Sequence, residues 1–183
     1  ETLRGQPCRR VLPGGMPATG GAATSRSLVR LVGAMKYHGI RGLAAPLGML
    51  LADGLVHGQG AEQPDILVPI PLHRLRRAER GFNQAELLAM VAGKALGIPV
   101  ELGLLRRIRG TGQQAKLARL GGGRADNVAG AFRVPESRRN GRIVLVDDLV
   151  TSGATVEAAA KTLVREGRDV IGVAAVALAA PSS

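Results

Sequence analysis

The chain predicts an α/β fold with a mainly parallel central sheet flanked by helices, on three observations. Apolar runs of strand length alternate with segments of helical period, the pattern of a parallel sheet joined by crossover helices. The unit at residues 143–180 reads strand, turn, helix, strand without interruption. Two strand ends, near Pro71 and near Asp147, carry unusual chemistry, and in open α/β sheets ligands gather at the carboxyl ends of strands.

Taken in order, residues 5–24 are rich in Gly and Pro and have no apolar period, so 1–26 reads as a flexible basic arm. Ser27 is placed to cap a helix over residues 28–37 that Gly39 ends. A second helix spans about 43–56, with Pro46 tolerated in its first turn. Together 27–57 form a helical hood on a domain covering 27–183. Pro64 and Asp65 introduce a strand over 66–70, followed by a strongly basic loop over 71–80. Residues 82–96 are helical, with Ala85, Leu88, Ala89, Ala92 and Leu96 at the required spacing. A short strand is expected within 99–105, a long polar Gly-rich loop over 106–126, a strand over 131–134 and a turn over 138–141. The strand at 143–146, helix at 156–164 and strand at 170–180 close the domain. No internal repeat is visible.

Composition limits the function. At 183 residues the chain holds one ordinary domain with an appendage. The apolar run at 170–180 is far short of the ~20 residues that cross a bilayer, so no membrane span is expected. No signal peptide is apparent near the N-terminus, although the chain opens on Glu1 rather than Met. Cys8 is the single cysteine, which excludes an intrachain disulfide and a thiolate-rich zinc site. Cytoplasmic residence is the expectation. The net charge of +11 comes from 21 arginines and 4 lysines against 14 acids, and suits nucleic acid or a polyphosphate. The aromatics are only Tyr37, Phe82 and Phe132, so stacking platforms for single strands are scarce.

The densest chemistry is at Asp147 and Asp148, after the apolar Ile143, Val144, Leu145 and Val146. Behind them Thr151, Ser152, Gly153, Ala154 and Thr155 form a hydroxyl-rich turn opening a helix. Turn amides, three hydroxyls and a helix N-terminus favour a phosphate, and Gly153 lets the backbone approach closely. Carboxylates beside a phosphate make sense if they accept from vicinal hydroxyls, or if they hold a bridging magnesium ion. Either way the ligand is a ribose 5-phosphate. An Asp-Asp pair alone would equally end a strand; the residues on both sides decide the reading. The second strand end presents Pro71, Leu72 and His73, then Arg74, Arg76, Arg77 and Arg80, donors and charge suited to a pyrophosphate.

The stretch 143–155 resembles the phosphoribosyl-pyrophosphate signature of type I phosphoribosyltransferases, with Ser152 where that family often has Thr. The resemblance implies that fold, a 5-phosphate on Thr151 through Thr155, and the ribose hydroxyls on Asp147 and Asp148. The chain from about 28 to 180 further resembles the ComF-like competence-protein family. The carriers are Lys36-Tyr37-His38-Gly39, Val68-Pro69-Ile70-Pro71-Leu72-His73, Arg80-Gly81-Phe82-Asn83-Gln84 and Leu104-Leu105-Arg106-Arg107, with Thr111, Gln114, Leu117, Arg124, Asn127, Ala131 and Phe132.

This resemblance implies a pyrophosphate loop at Pro71, Leu72, His73 and Arg80; the imidazole of His73 there either stands near the pyrophosphate, or donates a proton to it, or simply packs the loop. It implies a lid around Arg106, Arg107, Thr111 and Gln114. Magnesium would arrive with phosphoribosyl pyrophosphate, touched at most by Asp147 and Asp148 rather than held in a protein-only cage. Many family members begin with a four-cysteine zinc ribbon; with Cys8 alone, no zinc is expected in this chain. The implied reaction is phosphoribosyl transfer to an acceptor with release of pyrophosphate. The competing expectation is a non-catalytic DNA-uptake protein that uses the fold as a nucleotide-sensing scaffold. Its partners would be single-stranded DNA and competence or recombination proteins, with a homodimer as a further candidate assembly.

Overall fold

The computed structural model describes residues 6–58, 63–108, 130–136 and 140–179. Its elements run β1 (Cys8–Val11), β2 (Pro17–Ala23), α1 (Arg26–His38), a 3-10 turn (Arg41–Leu43), α2 (Ala44–Gly58) and β3 (Ile66–Pro69). They continue α3 (Arg74–Arg80), α4 (Gln84–Leu96), β4 (Arg106–Arg107), β5 (Phe132–Arg133), β6 (Arg142–Val150), α5 (Ala154–Arg165) and β7 (Asp169–Leu178). The main sheet has the order β1-β2-β7-β6-β3. Its β2/β7, β7/β6 and β6/β3 pairs are parallel, and β1 is added antiparallel at one edge. The expected α/β architecture with a mainly parallel sheet is the one present.

Strand β6 shows why both faces of the sheet are covered. Ile143 and Leu145 enter a core shared with Val156, Ala160 and Leu163 of α5. Val144 and Val146 point the other way, into a core built with Val32 of α1, Leu47 and Leu51 of α2, and Leu88 of α4. Period two in the strand thus feeds two layers, and a continuous apolar run is the sequence of such a strand.

The N-terminal arm is a correction. Residues 8–23 form a hairpin inside the sheet: β1 pairs with β2, and β2 lies between β1 and β7. Pro13, Gly14 and Gly15 make its turn, where Leu12 N donates to Met16 O at 2.9 Å. The sequence Pro-Ala-Thr-Gly-Gly-Ala-Ala lacks bulky apolar side chains because α2 lies directly on it. A Cβ on Gly21 would sit 2.1 Å from Leu50 O, so only glycine admits the helix there.

Three smaller readings also change. The cap of α1 is Ser25, whose hydroxyl accepts from Leu28 N at 3.2 Å, rather than Ser27. Within the basic stretch after β3, Arg74–Arg80 is helical, and Gly81 closes it at φ 76°. Arg106 and Arg107 form a short strand with Phe132 and Arg133 instead of opening a loop; residues 109–129 lie outside the described residues. Among the described residues no helix is long and apolar enough to cross a membrane.

Candidate functional site

Strand lengths create the site. β3 stops at Pro69, opposite Val146, while β6 continues to Val150 against β7. Asp147 and Asp148 therefore lie within β6 yet beyond the end of β3, where β6 has lost one neighbour and the chain turns away through Pro71. Asn83 fixes that turn. Buried at 2% exposure, it caps α4 by accepting from Ala85 N at 3.1 Å and donates from Nδ2 to Ile70 O at 3.0 Å.

A cleft with roughly 720 Å³ of empty space, its open mouth included, lies over the acids. Lys36 and Tyr37 of α1, Pro71 and Leu72, Arg76 and Arg80 of α3, Gln84 and Arg107 wall it. A smaller hollow of about 240 Å³ is formed by residues 149–156, the hydroxyl turn and its flanks. Asp147, Leu149 and Thr155 line both spaces. An anion-suited turn and a cationic cleft thus meet at one carboxylate.

The two acids have different surroundings. Asp148, 6% exposed, is engaged by Lys36 Nζ at 2.7 Å and accepts from Leu149 N at 2.7 Å. Asp147 keeps part of its surface open to the cleft and accepts from Asp148 N at 2.8 Å. Enclosure by protein, then the neighbouring Asp148 charge, push its carboxyl up to about 7, against the pull of that hydrogen bond, Lys36 and Arg107. Burial and the repulsion of Arg76 lower the Arg107 pKa, which Asp147 partly offsets; its guanidinium lies 5.4 Å over the Phe132 ring. Arg80 lies 5.2 Å over Tyr37 and donates to Gln84 Oε1 at 3.2 Å.

Of the expected residues, Pro71, Leu72, Arg80, Arg107, Asp147, Asp148 and Thr155 come together around the cleft. Thr151, Ser152, Gly153 and Ala154 line the smaller hollow, with Gly153 at φ 86° as the N-cap of α5. His73 is not among the lining residues; it is half-buried and caps α3 through its carbonyl, which accepts from Arg77 N at 3.0 Å. Arg106 is exposed and is not among the residues lining the cleft, whereas Arg107 is. Thr111 and Gln114 lie outside the described residues.

Three participants take contacts that the sequence did not foretell, two of them (Lys36 and Gln84) being carriers of the resemblance with no role assigned. Lys36 reaches Asp148 from α1, and nothing in local spacing links them. The Gln84 side chain is 1% exposed and its Nε2 has no hydrogen-bond partner. Arg10, in the stretch read as an arm, donates to Ala179 O at 2.9 Å and to Thr151 O.

The two acids, expected at a strand end, instead lie inside β6, and with their surroundings they define a class: an α/β protein whose paired acids join a hydroxyl-rich turn to a cationic cleft. No family model matches the chain. It is 36% identical over 141 residues to the DNA utilization protein YhgH of Salmonella typhimurium, a match covering 75% of this chain and 61% of that protein. It is 33% identical over 113 residues to competence protein F of Haemophilus influenzae, covering 60% of this chain and 48% of that protein. It is 36% identical over 104 residues to competence protein ComFC of Bacillus subtilis, covering 56% and 40%. These likenesses support a ComF-like protein. The chain spans about three fifths of the length of the first of these relatives. Among solved structures it is similar to the orotate phosphoribosyltransferase of Aeropyrum pernix, with 18% identity, a TM-score of 0.41, and coverage of 96% of this chain and 86% of that one. It is also similar to the adenine phosphoribosyltransferase of Leishmania tarentolae, with 15% identity, a TM-score of 0.41, and coverage of 72% and 56%.

Proposed function

We propose that this protein binds phosphoribosyl pyrophosphate, or a ribose 5-phosphate, across the two joined hollows. The 5-phosphate occupies the turn at residues 151–155, the ribose hydroxyls meet Asp147, and the pyrophosphate extends toward Arg76, Arg80 and Arg107. One observation carries the reading: Asp147 and Thr155 line both the anion turn and the cationic cleft. A sugar bearing phosphates at two ends needs an acceptor of hydroxyl protons between two anion sites.

In the transfer reading, an acceptor nucleophile forms a bond to C1 of the ribose. The C1–oxygen bond breaks, and its electron pair leaves with pyrophosphate. The chain's contribution is positioning and charge. Guanidinium groups stabilise the leaving group, Asp147 orients the ribose, and the turn anchors the 5-phosphate. Asp148 is already engaged by Lys36, so it supports Asp147 more than it contacts the sugar. Magnesium bound to the pyrophosphate would neutralise part of its charge. Among the described residues no group of three His, Cys, Asp or Glu side chains could hold an ion. The acid pair suits an ion held mainly by substrate oxygens, the usual arrangement for magnesium. The acceptor is selected by helix α1, whose Lys36 and Tyr37 line the cleft.

The second reading is a role in DNA uptake. The names of the relatives motivate it, together with the exposed Arg74, Arg76, Arg77 and Arg106. Such binding is electrostatic. Calorimetry with phosphoribosyl pyrophosphate and magnesium, beside single-stranded DNA at two salt concentrations, separates the two. Saturable binding of the sugar phosphate, lost when Asp147 and Asp148 are both changed to Asn, supports the first; no heat with the sugar phosphate rejects it. For DNA, affinity should fall with salt at a log–log slope of roughly 0.7 per phosphate neutralised.

A further inference from the structure

We propose that Arg10, on the edge strand β1, is the positioning residue that aims the phosphate turn at its ligand; the inference rests on the phosphate reading of residues 151–155. The guanidinium of Arg10 spans two chain ends. Nη1 donates to Ala179 O at 2.9 Å, just past β7, and Nη2 donates to Thr151 O, just past β6. Ala179 N in turn donates to Val150 O at 2.9 Å. One side chain therefore ties together the exits of the two central strands at the point where the turn begins.

The consequence follows from peptide geometry. In a trans peptide the carbonyl and the next N–H point in opposite directions. Anchoring Thr151 O on Arg10 sends the Ser152 N–H to the other side of the backbone, where Ser152 lines the smaller hollow. No described residue accepts a hydrogen bond from the amides of Ser152 or Gly153. Without Arg10 the Thr151 carbonyl is free to rotate toward the hollow, and a carbonyl oxygen there would repel a phosphate.

The rest of the hairpin acts in the same sense. Leu12 packs beneath Gly153, so close that a Cβ on Gly153 would lie 3.0 Å from Leu12 Cδ2. Gly14 N donates to Glu157 Oε1 at 3.2 Å. Glu157 is the acidic residue of the first turn of α5, and this bond draws its charge toward the hairpin, outside the lining of the hollow. A cation behind the turn also adds to the positive end of the α5 dipole. Lysine could not reproduce this, because a single ammonium lacks the planar fork that meets two separate carbonyls.

The test uses the full chain with Arg10→Lys and Arg10→Ala, titrated separately with ribose 5-phosphate and with magnesium pyrophosphate, and melted in parallel. Expected is a loss of about tenfold or more in ribose 5-phosphate affinity in both variants, with pyrophosphate affinity unchanged and Arg10→Lys melting near the wild type. A general loss of structure would weaken both ligands together. An equal loss for both ligands, or ribose 5-phosphate affinity retained in Arg10→Ala or in Arg10→Lys, overturns the proposal while leaving the phosphate reading intact. If the wild type itself takes up pyrophosphate but no ribose 5-phosphate, the phosphate reading fails and the role of Arg10 falls with it.

Discussion

Lys36 Nζ lies 2.7 Å from Asp148 Oδ1, an ion pair between helix α1 and strand β6 with side chains 21% and 8% exposed. It ties helix α1 to the acid motif of the sheet. Removing the lysine strands a buried carboxylate. Lys36→Met should therefore cost about 3 kcal/mol in denaturant unfolding. Adding Asp148→Leu to that variant should recover part of the loss, because no orphaned charge remains. A double variant less stable than Lys36→Met would rule this out.

Asp147 gives a pH dependence whose sign is fixed. Its carboxyl is raised to about 7 by burial and by Asp148, so the folded chain holds a proton that the unfolded chain has released. This group's contribution to stability is fully present below the unfolded carboxylate value near 4, declines as pH rises, and is gone above about 7. Asp147→Asn should remove that decline, and its advantage over the wild type should be larger at pH 8 than at pH 4. Ribose 5-phosphate binding should show the opposite trend in the wild type relative to Asp147→Asn, strengthening as pH rises through 7, since the ionised carboxylate is a stronger acceptor for hydroxyl protons than the neutral acid. Parallel pH profiles for the two proteins would contradict the assignment.

Asn83 joins two functions in one side chain, capping α4 and holding Ile70 O. Asn83→Ala should lose about 2 kcal/mol of stability and loosen the loop at Pro71. Asn83→Asp keeps the capping acceptor but cannot donate to Ile70. It should therefore fall between the wild type and Asn83→Ala in chemical denaturation, while weakening pyrophosphate binding as much as the alanine variant does.

Gly153→Val should abolish ribose 5-phosphate uptake and cost about 1–3 kcal/mol from the left-handed backbone alone. The side chain would add a contact with Leu12, 3.0 Å from the new Cβ. Thermal melting and calorimetry on one preparation check both effects. Normal phosphate binding by this variant would remove the turn from the site.

Much of the fold was legible because its signals are local. Helix α1 ends at Gly39 and α4 at Gly97, each with positive φ, and the apolar run of β6 needs no distant partner to be recognised. The same holds for the acid pair and the hydroxyl turn, which occupy consecutive positions. The hairpin β1–β2 was illegible because a strand of Ala, Gly and Thr carries almost no apolar signal; it is buried by the close approach of α2.

By itself the sequence determined the strand-turn-helix unit of residues 143–165, its phosphate-suited turn and the two acids before it, since each depends on neighbours a few residues apart. Only the tertiary structure decided which acid keeps an open face on the cleft and which arginines surround it. Lys36 selects Asp148 from 112 positions away, Arg107 enters the cleft while Arg106 does not, and Arg10 reaches the turn across 141 positions. Those choices follow from strand order and strand length. A sheet brings distant residues together by its hydrogen-bonded register, and no local periodicity along the chain records that register.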